Sequence, residues 1–131
     1  MITQYEAPSI IRKEIPSLSW IIHPGRASME VYASIQDLTD CARQSVEEHD
    51  LILARQCFDL ADRLYQQGDN IVRMLIENIF VFAFSTFIPQ EKVEHILIRA
   101  AIPENLYSIY LNRFRKAVAD NKKKWKPITY V

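Results

Sequence analysis

A chain of 131 residues with 49% hydrophobic and 24% charged residues has the length and composition of one globular domain. Basic and acidic residues number 16 each, and this balance excludes a global field that would attract nucleic acid or an anionic membrane. Only two glycines are present, which favours helices over hairpins. We therefore predict an all-α single domain, a compact bundle of about five mostly antiparallel helices arranged as stacked helix hairpins.

Residues 1–27 are predicted to form an irregular N-terminal arm that packs on the domain. The arm is interrupted by Pro8, Pro16, Pro24 and Gly25. Pro8 suits the first turn of a short helix over residues 9–14. Charged residues inside the arm argue against a signal peptide, and the apolar run at residues 79–88 is too short to span a bilayer. We expect a cytoplasmic location.

The helical domain is predicted over residues 28–121. Its first helix takes Ser28 as the N-cap and repeats apolar residues at helical spacing. That apolar face consists of Tyr32, Ile35, Leu38, Ala42 and Val46. The second helix begins near residues 47–50 after a weak break. Its apolar stripe consists of Leu51, Ala54, Cys57, Phe58, Ala61, Leu64 and Tyr65. Cys41 and Cys57 show neither a disulfide nor a metal-binding spacing, so we expect both to be small apolar core residues.

The most apolar segment follows Gly68. Gly68 is expected to be the left-handed C-cap of the second helix, and Asp69 is expected to cap the third. The third helix is predicted to run without interruption over residues 72–87 and to stop before Pro89. Its second half has almost no polar residue, so we expect it to be buried on nearly every side.

Two further helices are predicted, each beginning after a proline. The fourth opens at residues 89–91, and its apolar face consists of Val93, Ile96, Leu97 and Ala100. The fifth begins at Pro103, and its apolar face consists of Leu106, Ile109, Tyr110, Phe114, Ala117 and Val118. Residues 122–131 are predicted to be a basic C-terminal tail.

Catalytic and metal-binding motifs are missing from the sequence. Glu91 and His95 share a helix face but supply only half of a metal site. A phosphate-binding loop, a nucleophile elbow and a dinucleotide fingerprint all need glycines that this chain lacks. A pairing of Cys57 with a histidine is outweighed by its expected role in the core. We predict no enzyme, no catalytic residue, no metal and no cofactor.

An acidic surface is the first candidate binding site. Between residues 37 and 63 carboxylates outnumber arginines, and a shared exposed side would steer a basic partner. The alternative is an ordinary solvated polar face. Tyr107 is the aromatic residue expected to be most accessible as an anchor. The predicted partner-binding residues are Asp37, Asp40, Glu47, Glu48 and Tyr107.

The basic C-terminal end is the alternative site. Lysine neutralises phosphate and tryptophan stacks on bases, so the segment suits single-stranded nucleic acid. Lysines also complement the negative end of a helix dipole, which makes nucleic acid the less expected partner. The residues concerned are Arg113, Lys116, Lys122, Lys123, Lys124, Trp125 and Lys126. A third alternative is an obligate homodimer whose shared core is continued by the central helix.

A family resemblance is carried by the run ARQCFDLADRLYQQGDNIVRMLIENIFVFAFSTFIP and by ILIRAAIPENLYSIYLNRFRKAV after it. The positions concerned are Leu64, Gly68, Asp69, Val72, Ile76, Glu77, Asn78 and Phe80. Over about residues 30–118 the chain resembles small uncharacterised bacterial helical proteins, similar in kind to the immunity proteins of toxin systems. The resemblance implies a protein that binds and blocks another protein, and it carries over no catalytic residue. We therefore predict another protein as the partner, and no membrane.

Overall fold

The computed structural model describes residues 1–18, 27–89 and 91–125, and the chain is helical in each of these ranges. The α-helices are α1 (Ala7–Glu14), α2 (Ala27–Glu47), α3 (Leu51–Gln67), α4 (Asn70–Leu75), α5 (Phe84–Phe87), α6 (Lys92–Ala101) and α7 (Glu104–Trp125). A 3-10 turn covers Pro16–Leu18, and a π-helical segment, the π segment, covers Ile76–Val81. The predicted all-α class is confirmed.

The N-terminal arm is more regular than predicted. A short helix forms as expected, with Pro8 in its first turn, but it begins at Ala7 and buries Ala7 and Ile11 in the core. Before it, the amide of Ile2 donates to the carbonyl of Gln67 (2.6 Å), and the Ile2 carbonyl accepts from the amide of Asp69 (2.8 Å). These bonds fasten the start of the chain to the α3–α4 junction. The predicted breaks at residues 24 and 25 lie outside the described residues.

α2 and α3 form the hairpin on which the domain is built. The predicted apolar face of α2 is buried except for Tyr32, which is exposed because it lies at the margin of that face. The predicted N-cap at Ser28 is wrong, since α2 already begins at Ala27. The break between the helices falls where predicted: Asp50 is the N-cap of α3, and its side chain accepts from the amide of Leu53 (3.1 Å).

The end of α2 contains a left-handed residue that is not a glycine. His49 has φ 61°, and it is the only non-glycine residue with positive φ in the described part of the chain. Its amide donates to the carbonyl of Val46 (3.1 Å), and the next amide, that of Asp50, donates to Ser45 (2.8 Å). These two bonds are the Schellman motif, in which the left-handed position usually belongs to glycine.

Gly68 has a different role from the predicted one. Its backbone is extended (φ −75°, ψ 158°), so the predicted left-handed cap is wrong. A Cβ at this position would overlap the carbonyl oxygen of Leu64 and lie 2.6 Å from Cγ1 of Val72. Glycine is therefore required for close approach between α3 and α4. The predicted cap at Asp69 is confirmed, since its carboxylate accepts from the amide of Val72 (2.9 Å) and also from that of Gln4 (2.8 Å).

The predicted central helix is divided into α4, the π segment and α5. The continuous helix over residues 72–87 is therefore wrong, although it stops before Pro89 as predicted. Expected burial on nearly every side is also wrong, because Phe82 is 65% exposed just after the π segment. Phe80, Phe84 and Phe58 from α3 are fully buried, and each pair of these rings meets edge to face with centroids 5.7–6.3 Å apart. These three rings form the centre of the core.

α6 and α7 begin where the sequence predicts. Glu91 is the N-cap of α6 and accepts from the amide of Glu94 (2.8 Å), while α7 starts directly after Pro103. The predicted inner face of α6 is wrong, because Ile98 and Ala101 are buried and the predicted residues Val93, Ile96, Leu97 and Ala100 are exposed. On α7, Leu106 is fully buried and Tyr110 is partly buried. The side chains of Phe114 and of residues 117–125 lie outside the described part of α7.

Candidate functional site

The exposed apolar side of α6 is the most accessible row of hydrophobic residues on a described helix. Val93, Ile96 and Leu97 are 62%, 57% and 48% exposed. They lie together because positions three and four apart share one side of a helix. The core accepts the other side of α6, since Ile98, Ala101 and Ile102 are buried there. This helix carries apolar residues on two sides. The side that is buried contains Ile98 and Ala101, whereas the periodicity predicted burial of the side with Val93, Ile96 and Leu97.

The α2–α3 turn lies beside this row. The ring of His49 contacts the carboxylate of Glu94, and this contact joins the turn to α6. A small cavity under the contact is lined by Val46, Leu51 and Leu97. The left-handed conformation of His49 therefore places its side chain at the contact between the turn and α6.

Carboxylates belong to both segments that meet at this contact. Residues 47–50 and 91–94 contain five acidic residues and one lysine, namely Glu47, Glu48, Asp50, Glu91, Glu94 and Lys92. Hydrogen bonds from the amides of Glu94 and Val93 lower the pKa of Glu91, so this residue is ionised at neutral pH. We call Val93, Ile96 and Leu97, together with the carboxylates of Glu91 and Glu94 on the same helix, the α6 face. It combines an apolar row with a negative rim.

Most of the predicted acidic residues lie on a neighbouring groove. Asp37, Asp40 and Glu48 line an open groove of about 380 Å³ between α2, α3 and the 3-10 turn, and Glu47 is exposed outside its lining. Asp40 accepts from Arg43 (2.9 Å), and this ion pair offsets part of the negative charge. Three of the four predicted acidic residues therefore share this groove.

The two cysteines differ in burial, and Cys41 is the one that lines this groove. Cys57 is fully buried as predicted. Cys41 is partly buried: it packs against the core, as expected, but it also lines the groove. Interaction with Cys57 lowers the pKa of Cys41, and interaction with Cys41 together with burial raises the pKa of Cys57.

Tyr107 is already engaged within the protein. The guanidinium carbon of Arg99 lies 3.5 Å from the centre of its ring, and the ring of Tyr110 meets it edge to face at 5.9 Å. Tyr107 is therefore less accessible than the sequence predicts, and it lies outside the α6 face as defined above. A cation over an aromatic ring is a stabilising contact in its own right.

Arg113 is likewise engaged. Its Nη1 donates to Oδ1 of Asn78 (2.8 Å) and to the carbonyl of Glu77 (3.2 Å), which joins α7 to the π segment. Lys116 is exposed beside it, on an open groove of about 690 Å³ that Phe82 also lines. The other predicted nucleic-acid residues lie at the C-terminal end. The last turns of α7 contain Lys122, Lys123, Lys124 and Trp125, whose side chains are outside the described part of the chain. Lys126 lies outside the described residues.

The half metal site considered in the sequence is not assembled. Glu91 caps α6, whereas Nδ1 of His95 lies 3.0 Å from the carbonyl of Pro89. Within the three described ranges, no group of three or more potential ligands of the His, Cys, Asp and Glu types comes together. Within the same ranges, no helix combines the length and apolar character needed to cross a membrane.

The fold and these surfaces define an all-α domain with a helix hairpin at its base and an exposed apolar row on α6. The family model described as "Domain of unknown function (DUF7674)" matches residues 8–116, and the chain belongs to this family. The match begins within α1 and ends within α7, beyond Arg113. Comparisons with curated proteins and with solved structures found no match.

Proposed function

We propose that the chain is a non-enzymatic protein-binding domain and that it binds its partner through the α6 face. The main support is the exposed row of Val93, Ile96 and Leu97. Apolar residues that are contiguous on the surface and rimmed by polar groups are typical of interaction sites. Burial of such a row against a partner would provide the non-directional part of the binding energy.

The negative charge of the rim indicates which kind of partner would bind. The carboxylates of Glu91 and Glu94 favour a partner that carries lysine or arginine around an apolar anchor. An amphipathic basic segment of another protein meets both requirements. Opposite charges at the rim would mainly accelerate association, whereas the apolar row would determine how long the complex lasts.

The more specific form of the proposal is an immunity-type inhibitor that acts by surface complementarity. In this form the partner is a bacterial toxin, and the chain blocks the toxin by covering part of its surface. The support for this form is the resemblance over about residues 30–118 described above, and the cytoplasm of a bacterial cell is the expected location. The α6 face is the surface that we propose for contact with the toxin.

The proposal predicts that charge on the apolar row weakens binding. The tagged protein, used for pull-down from lysate of its own source, should retain a stoichiometric protein partner. The double variant Val93→Asp/Ile96→Asp should lose at least about tenfold in affinity, since burial of two charged groups in an interface costs more than about 1.4 kcal/mol. Calorimetry with the purified partner would measure this loss.

Met74→Asp is the matched control, because Met74 is 47% exposed but lies on α4. It should retain the partner as the unmodified chain does. Equal retention by the Val93→Asp/Ile96→Asp variant would contradict binding through α6. Nucleic acid that is lost at high salt and on removal of residues 122–131 would favour the alternative function, and a dimer mass in light scattering would favour the homodimer.

A further inference from the structure

We propose that the open groove between the π segment and α7 binds a small aromatic monocarboxylate. The groove has a volume of about 690 Å³ and is lined by residues of α3, the π segment and α7, and by residues 82 and 85. Such a volume lies within the range of small-molecule sites, roughly 300–1,000 Å³. Its described lining contains no residue of α6, so this inference is independent of binding through the α6 face.

Three aromatic rings line the groove. They are Tyr65 of α3, Phe82 after the π segment and Tyr110 of α7. Phe82 is 65% exposed, so much of its ring is accessible to a ligand. The other two rings are held in place: the guanidinium of Arg73 lies 5.0 Å from the centre of the Tyr65 ring, and the Tyr110 ring contacts that of Phe84 at 5.7 Å. Rings fixed in this way stack on an aromatic ligand with little further loss of side-chain entropy.

Polar groups that suit a carboxylate lie on the same groove. Nη1 of Arg113 donates to Oδ1 of Asn78 (2.8 Å) and lies 3.5 Å from Oε1 of Glu77. Because Oδ1 of Asn78 accepts this bond, Nδ2 is the atom of its amide that donates. Lys116 follows one turn later on α7 and is exposed. An ammonium group and an amide donor together match the acceptors of one carboxylate.

The charge of the lining favours an anion with a single negative charge. The charged residues of the described lining are Glu77, Arg113 and Lys116, which are two cations and one carboxylate. Glu77 offsets the charge of Arg113, so Lys116 supplies the positive charge that a ligand would meet. A nucleic acid carries a phosphate at every nucleotide and binds best to a row of cations. A monocarboxylate needs only one cation, and the three rings favour an aromatic body for it.

The π segment contributes to the groove directly. Glu77, Asn78 and Val81 belong to the segment and line the groove. The carbonyl of Glu77 accepts from Nη1 of Arg113 (3.2 Å), and this bond fixes α7 beside the segment. π-helical turns are rare and occur frequently at functional sites. The position of the segment therefore supports a ligand site in this groove.

Naphthoate is the probe for the test, because it carries one carboxylate on a planar aromatic body. Calorimetric titration of the full chain should give one binding site. Naphthylmethanol keeps the rings but replaces the carboxylate by a neutral group, and octanoate keeps the carboxylate but replaces the rings by an acyl chain. Each of these two compounds should bind at least about fivefold more weakly than naphthoate, since each retains only one of the two recognised groups.

Two variants test whether the probe lies in this groove. Phe82→Ala removes the exposed ring and Lys116→Gln removes the exposed charge, and each should weaken the binding of naphthoate at least about threefold. Tyr32→Ala and Lys92→Gln are the matched controls, because both residues are exposed outside the described lining of the groove. These two controls should bind naphthoate as the unmodified chain does.

Absence of binding at millimolar naphthoate would overturn the proposal. Equal affinity for naphthylmethanol or for octanoate would also overturn it, since the carboxylate or the rings would then not be recognised. Unchanged affinity in both Phe82→Ala and Lys116→Gln would place the probe elsewhere on the chain. Displacement of naphthoate by a lower concentration of a short oligothymidylate would assign the groove to nucleic acid instead. The Val93→Asp/Ile96→Asp variant should bind naphthoate normally, so this proposal and binding through the α6 face fail separately.

Discussion

At the scale of single residues, the left-handed backbone expected at Gly68 is found instead at His49. Gly68, one of two glycines in the chain, is extended and serves close packing against Val72. His49 occupies the left-handed position that normally favours glycine. A left-handed residue with a Cβ costs about 1–2 kcal/mol, and contact of His49 with Glu94 offsets part of that cost. The strained residue lies next to the α6 face, and its contact with Glu94 holds the turn against α6.

The strain at His49 gives the first stability prediction. His49→Gly should be more stable than His49→Ala by about 1 kcal/mol, because both variants lose the contact with Glu94 but only alanine keeps a Cβ in the left-handed region. Urea denaturation followed by circular dichroism would measure the difference. Equal stability of the two variants would show that the turn relaxes away from the left-handed conformation in solution.

At the scale of helices, the π segment is the feature that organises the second half of the domain. It places Phe80 in the core and leaves Phe82 65% exposed. The predicted continuous helix had both residues in a segment buried on nearly every side. Such segments leave backbone carbonyls in need of partners, and Arg113 supplies one for Glu77. Arg113 therefore has a structural role in joining α7 to the π segment.

The junction between α7 and the π segment gives a second stability prediction. Arg113→Ala should lower the free energy of unfolding by about 1 kcal/mol, a value reduced by the partial exposure of its ion pair with Glu77. Lys116→Ala, on the same groove, should change the free energy of unfolding by less than about 0.5 kcal/mol. Thermal or urea unfolding of both variants would test this. Equal effects would show that Arg113 contributes only as a surface charge.

At the scale of the whole molecule, stability depends on the three phenylalanine rings that join α3, the π segment and α5. Their edge-to-face contacts add to the burial of large apolar side chains. The N-terminal bonds to Gln67 and Asp69 attach α1 to the same core from the other end of α3. The domain is thus one cooperative unit over most of its described length, and disruption of the ring cluster should affect all of it.

Phe80→Ala should lower the free energy of unfolding by about 3–5 kcal/mol, a large part of the total stability of a typical domain. Phe82→Ala makes the same chemical change two residues later on an exposed side chain, and its effect should stay within about 0.5 kcal/mol. Urea unfolding of the pair would compare them under identical conditions. Similar losses in both variants would contradict the placement of these two rings.

The sequence by itself determined the helical class, most helix ends and much of the core. Asp50, Asp69 and Glu91 cap helices through bonds to amides three residues away, and proline stops a helix locally, so these signals do not depend on distant parts of the chain. The apolar stripes of α2 and α3 could also be predicted from local sequence. Helical spacing alone shows which of their residues share a face.

The tertiary structure alone decided the inner side of α6, the π segment and the backbone of His49. α6 carries apolar residues on two sides, and only the shape of the core selects Ile98 over Leu97. Each of these features depends on which elements pack against each other, and that information is not contained in the local spacing of residues.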